Sequence, residues 1–159
     1  MAICLGADLD GVYTSLTEGK TPAVGDVYFG TGPKVYKFIQ YKEATAATDG
    51  VAGEVAYYYT LDGYKLNQVT SDLSDSVEIG AGVLQAALSD GEYGWIQIKG
   101  PATLTIALTA GADGDSLTPT GAGDGTLDTA LDTTASNPVH ICAYAGDASD
   151  NEIICDFPW

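Results

Sequence analysis

The 159-residue chain contains no arginine. Its basic residues are six lysines (Lys20, Lys34, Lys37, Lys42, Lys65 and Lys99), set against 22 acidic residues for a formal net charge of −16. Arginine is the usual bidentate grip on phosphate and carboxylate. A surface this negative repels nucleic acid and anionic membranes, so neither is expected as a partner. Histidine occurs once, at His140, and cysteine three times, at Cys4, Cys142 and Cys155. Three cysteines are too few for a disulfide scaffold. No apolar run approaches the roughly 18–20 residues of a membrane span. The opening residues 1–8 have no basic region and no long apolar stretch, so they do not read as a secretory signal. The chain is expected to be made in a cytoplasm and to stay soluble.

Hydrophobic residues make up 45% of the chain, which rules out a disordered acidic tail. The length predicts one domain, with roughly 68–70% of the unfolded surface leaving water. The acidic excess reads as a solvated outer surface.

The clearest local pattern is Gly91-Glu92-Tyr93-Gly94-Trp95-Ile96-Gln97-Ile98-Lys99-Gly100. It predicts a strand between glycine turns, with Trp95, Gln97 and Lys99 on one face and Ile96 and Ile98 on the other. Further strands are expected at 27–29, 34–43, 51–60, 64–70, through 77–88, at 102–107, and near Ser116-Leu117. Leu61-Asp62-Gly63 predicts a hairpin turn, and residues 44–48 a turn of helix. Residues 139–144 and 152–157 predict a closing hairpin. A symmetric register there sets Cys142 opposite Cys155, within reach of a cross-strand disulfide though slightly long for its ideal geometry; two buried thiols are the alternative, favoured in a reducing cytoplasm. Eight to ten short strands predict an all-β fold, a single compact β-barrel or β-sandwich. Residues 1–24 read as an extended N-terminal arm and 25–159 as the β-rich domain.

Little in this pattern points to chemistry. Asp113 and Asp115, Asp124, and Asp147 with Asp150 lie in glycine-rich loops, but without the spaced ligands of a calcium loop, and Asp and Gly are ordinary turn residues. No metal and no cofactor is expected. His140 falls on a predicted strand face with Cys142 and Tyr144 and reads as a structural histidine. No serine sits in a nucleophile elbow. A carboxylate pair for glycoside hydrolysis is not singled out among the acids. No catalytic residue is assigned. Tyr57, Tyr59, Tyr93, Trp95 and Trp159 would suit a sugar platform, but strand aromatics more often build core.

The motif order resembles small structural proteins of tailed bacteriophages. Gly25-Asp26-Val27-Tyr28 leads into Val35-Tyr36-Lys37-Phe38-Ile39-Gln40-Tyr41, and Gly82-Val83-Leu84-Gln85-Ala86-Ala87-Leu88 precedes the Gly91–Gly100 strand. Gly114-Asp115-Ser116-Leu117 and Asp124-Gly125-Thr126-Leu127 follow. The resemblance spans residues 25–157. It implies a capsid decoration, or cement, protein: a β-rich homotrimer without catalytic residues. Such a protein is made in the host bacterial cytoplasm and sits on the outer capsid surface of the virion. Its partner is the major capsid protein, whose neighbouring subunits it bridges. An arm that adds a strand to a capsid sheet edge gains backbone hydrogen bonds without special side chains. On that reading Ile3, Leu5, Leu9, Val12, Tyr13 and Leu16 are the candidate capsid contacts, and Tyr93, Trp95 and Gln97 are framework or subunit-contact residues. The second reading is a virion-surface adhesion module, a head-fibre base or a carbohydrate-binding β domain.

Overall fold

The computed structural model describes residues 6–44, 48–130 and 140–159. Ten strands form one hydrogen-bonded sheet, as expected of an all-β chain. In chain order they are β1 (Val27–Phe29), β2 (Val35–Tyr41), β3 (Val55–Tyr59), β4 (Gln68–Thr70), β5 (Ser76–Leu84), β6 (Tyr93–Thr103), β7 (Ser116–Thr118), β8 (Asp128–Thr129), β9 (Ala143–Asp147) and β10 (Glu152–Asp156). A single helical turn, α1 (Gly63–Leu66), lies between β3 and β4.

The sheet curls on itself. Its order runs β1-β2-β4-β3-β5-β6-β10-β9-β7-β8, and β2 pairs again with β6. This closes β2, β4, β3, β5 and β6 into a partial ring, joined at β2–β4 and β5–β6 by two residue pairs each. Closure removes most exposed edges. The far half of β6 carries β10, β9, β7 and β8 as a wing.

The main core fills the ring and the inner face of the wing. Val35, Ile39 and Tyr41 of β2 meet Val55 and Tyr57 of β3, Val83 and Leu84 of β5, and Ile96 and Ile98 of β6. Leu117, Cys142, Ile153, Cys155 and Phe157 extend it under the wing. Tyr57 is fully buried. Its hydroxyl accepts the Thr126 N–H at 3.0 Å and also bonds the Thr126 and Gly123 carbonyls, tying β3 to the loop before β8.

Strand β6 is longer than expected. A turn is expected at Gly100, with a separate strand at 102–107, yet the strand runs through Gly100-Pro101 to Thr103, and residues 104–107 are not strand. Parity explains the proline. Leu104 N–H donates to the Asn151 carbonyl and Phe157 N–H to that of Ile98, so the even residues of β6 bond β10. Pro101 therefore turns its nitrogen to the other edge, where β2 has already ended at Val35↔Lys99. No ladder bond is lost there. The buried Gln97 amide donates to the Lys99 and Pro101 carbonyls at 3.0 and 2.9 Å and holds the passage.

Two expected hairpins are corrected. Leu61 and Asp62, at φ 53° and 74°, take the left-handed turn positions one residue ahead of the predicted Asp-Gly pair. Gly63 then packs so closely on Tyr59 and the Gln68 carbonyl that a Cβ would lie 2.8–2.9 Å from them. Residues 64–66 become a helical turn, and the strand begins at Gln68. In the closing hairpin, a bulge at Gly146 and a 3-10 turn at Ala148–Asp150 shift the register by one residue. Cys155 faces Ala143 instead of Cys142. Both thiols are free and buried. Residues 45–47 of the helical turn expected at 44–48, Cys4 and residues 131–139 lie outside the described residues.

Candidate functional site

The outer face of the β2–β6 pair is the most unusual surface in the fold. Alternation turns Tyr36, Phe38 and Gln40 outward on β2, and Tyr93, Trp95 and Gln97 on β6. Register sets Phe38 opposite Trp95, Gln40 opposite Tyr93 and Tyr36 opposite Gln97. In a plain barrel this face would meet water. Here Tyr36, Phe38 and Trp95 form a second buried cluster, packed under Ala7, Leu9, Tyr13, Val24 and Tyr28. The residues before β1 thus act as a lid on one side of the ring.

The aromatic contacts are specific. Phe38 and Trp95 meet edge to face at 5.2 Å, and Tyr13 meets Phe38 the same way at 5.6 Å. Tyr28 bridges Trp95 and Tyr36 at 6.3 and 6.2 Å. Such pairs contribute about 0.5–1.5 kcal/mol each beyond area burial. Backbone bonds add a fixed point, because Tyr13 and Tyr93 exchange N–H···O bonds at 3.0 and 2.8 Å. Gln40 donates to the Tyr93 hydroxyl at 3.1 Å and accepts from Gln68 at 2.9 Å. One group is left out: the Trp95 indole N–H is buried without an acceptor.

The predicted contact residues divide here. Leu9 and Tyr13 lie half-buried against the chain's own aromatic face. Val12 and Leu16 stay exposed, at 43% and 42%. Ile3 and Leu5 lie outside the described residues. Trp95 and Gln97 are buried inside the fold, and Tyr93 is half-buried beside them. The periodicity of the opening segment is too weak to reveal its inward residues; Tyr13 facing a Tyr-x-Trp strand is the only signal present.

Groups with chemical potential are dispersed. His140 is exposed ahead of β9, not a packed strand histidine, and Cys142 is buried while Tyr144 is exposed. Burial raises the Cys142 thiol, and it raises the Cys155 thiol to about 12. Burial likewise raises the Tyr57 phenol, and that of Tyr41 to about 12 against the hydrogen bonds it shares with Ser71. These groups are held neutral in the core. Among the described residues, no group of three or more His, Cys, Asp or Glu side chains is placed to hold a metal ion. No described helix is long and apolar enough to cross a membrane.

Exposed apolar side chains gather in other places. Leu61, 81% exposed, projects with Tyr64 and Leu66 from the α1 tip. On the outer face of the wing, Ile154 pairs with Tyr144 on one side and Pro101 on the other. Comparison with family models, curated proteins and solved structures finds no match to this chain.

Proposed function

We propose that the protein is a non-enzymatic structural component of a tailed-phage particle, which binds the outer capsid surface and bridges major capsid subunits. The motif order along residues 25–157 supports this reading. The observation that carries it is the two-sided opening segment: Leu9 and Tyr13 fasten it to the ring, and Val12 and Leu16 are turned outward. A segment fastened on one side and apolar on the other suits contact with a second protein. Many symmetry copies turn modest contacts into strong attachment. Trimeric assembly belongs to the same proposal, with the exposed α1 tip and the Tyr144–Ile154 face as available contact surfaces.

The burial of Tyr57 and Trp95 weighs against an adhesion platform built on those rings. The proposal is tested by comparing shells with and without the protein under heat and osmotic shock. Decorated shells are expected to survive higher temperature and faster dilution. Equal survival would count against the proposal.

A further inference from the structure

A cleft opens at the turn that joins β1 to β2, beside the aromatic face. Leu9, Tyr28, Gly30, Thr31, Lys34 and Tyr36 enclose about 420 Å³. The volume lies within the range of small-molecule sites. The turn is held from two sides. Gly30 N–H donates to the Lys34 carbonyl at 2.9 Å, and a Cβ on Gly30 would lie 2.6 Å from the Tyr36 ring. Gly100 lets β6 approach from the other side, where a Cβ would lie 3.0 Å from the Pro33 carbonyl oxygen and 3.2 Å from the Lys34 Cα. The Lys34 side chain therefore leaves a fixed backbone.

That lysine has no carboxylate. The ion pairs among the described residues use Lys42, Lys65 and Lys99. Lys37 is 5% exposed, and its ammonium donates to the Tyr58 hydroxyl at 3.0 Å. Lys34 is half-buried, and its ammonium makes no ion pair or hydrogen bond among the described residues. It also borders the cleft beside Gln85 and Gln97, whose walls hold no acid. Asp8 and Asp10 flank Leu9 in the chain, but both are exposed and neither lines the cleft. Asp156 is taken by Lys99 at 2.6 Å. In a chain of 22 acids and six lysines, an ammonium between two acid-free clefts is a local exception.

The cleft also offers neutral donors. Tyr28 and Tyr36 stand opposite each other on β1 and β2, their rings stacked at 6.2 Å and 27°. Neither hydroxyl makes a hydrogen bond among the described residues. Tyr36 is 6% exposed, yet its hydroxyl is not sealed off: the sealed, unpartnered side-chain atom among the described residues is the Trp95 indole nitrogen. Burial, and then the neighbouring Tyr28, raise the Tyr36 phenol above its ordinary value, so it keeps its proton and donates. Thr31 adds a hydroxyl and Leu9 an apolar wall.

We propose that this cleft binds a small monocarboxylate with an apolar body. The carboxylate pairs with the Lys34 ammonium and accepts from the Tyr28 and Tyr36 hydroxyls, bonds that its charge strengthens. The body lies against Leu9 and the tyrosine rings. A neutral ligand would leave the ammonium unpaired. A dianion would bring two charges to one lysine in a chain of net charge −16. Exposed carboxylates farther than about 8 Å away are largely screened at physiological salt, so for a single charge the local ammonium decides. The inference does not rest on the capsid reading, since the cleft belongs to the single chain.

The test is a ¹⁵N NMR titration of the full chain with sodium benzoate and sodium butyrate. Benzamide, a neutral ligand with the benzoate body, and sodium phosphate at matched ionic strength are the controls. At least one acid is expected to shift the Gly30, Thr31 and Lys34 amides, saturating at about millimolar affinity, with both controls about tenfold weaker or more. Lys34→Met, which keeps the stem and removes the charge, is expected to weaken binding about tenfold or more. Tyr36→Phe removes a hydroxyl that bonds nothing in the chain; it is expected to melt like the parent and to bind about threefold more weakly or worse. The proposal is overturned if neither acid gives saturable shifts at these amides. It is equally overturned if benzamide or phosphate shifts them as strongly, or if Lys34→Met binds like the parent chain. If Lys34→Met does not fold, Tyr36→Phe decides in its place.

Discussion

Phe38 and Trp95 face each other across β2 and β6, ring centres 5.2 Å apart at 64°, and the buried Trp95 indole N–H has no acceptor. The fold keeps the ring for its area and shape at the expense of one hydrogen bond. Trp95→Ala is therefore expected to cost about 3–5 kcal/mol. Trp95→Phe should cost much less, because it removes a buried unsatisfied donor worth about 1–3 kcal/mol along with part of the area. Urea unfolding of both variants checks the difference; equal losses would mean that the N–H is satisfied in solution.

Tyr57→Phe isolates a different kind of contact. The change keeps the ring and deletes the hydroxyl that serves the Thr126 N–H and the Gly123 and Thr126 carbonyls. The Thr126 amide is then buried without an acceptor, at an expected cost of about 1–3 kcal/mol. Hydrogen exchange at Thr126 should accelerate more than the global loss explains.

Alkaline pH should unfold the chain through its buried neutral groups. Burial raises Tyr41 from 10.0 to about 12 and Cys155 from 9.0 to about 12. A raised pKa in the folded state means the contribution is complete below the unfolded value and is lost as pH rises through the folded one. Stability is expected to hold below pH 9 and to fall between pH 9 and about 12. Replacing Cys155 by Ala should flatten the lower part of that fall, as read from denaturant midpoints across pH.

Thiol labelling tests the hairpin register. Cys142 and Cys155 are free and buried on non-facing positions. In a Cys4→Ser background, both should stay unlabelled in the native state and label together on unfolding. A native chain that forms a Cys142–Cys155 disulfide under mild oxidation would contradict this register.

Glycine substitutions separate packing from turn chemistry. A Cβ at Gly82 would lie 2.8 Å from the Gln97 carbonyl oxygen, at the close approach of β5 to β6. Gly82→Ala should cost about 1–3 kcal/mol or more. At Gly123 the nearest atom is 3.8 Å away and φ is not positive. There the same change should stay within about 0.5 kcal/mol. Thermal melting of the pair is sufficient.

Much of this fold was legible from local pattern. Val27–Phe29, the β2 run and the Trp95 strand are alternating or bulky segments between turns, and all three are strands. The closing hairpin was placed, but its register was not, because a one-residue bulge at Gly146 leaves no mark on hydrophobic alternation. Leu61 in a left-handed turn was hidden for a related reason: the Asp-Gly pair beside it is the stronger turn signal, and the close packing of Gly63 is a tertiary fact. Lys37 read as one lysine among six. Its burial depends on β1 and β4 sharing an edge of β2, a long-range arrangement that no local window contains.

A reconstruction of the intact particle tests the proposed place on the outer capsid surface. Density for this β domain is expected on the outside of the shell, touching at least two major capsid subunits, with the segment carrying Val12 and Leu16 at the contact. Density confined to the tail, density inside the shell, or a particle lacking the protein altogether would contradict it.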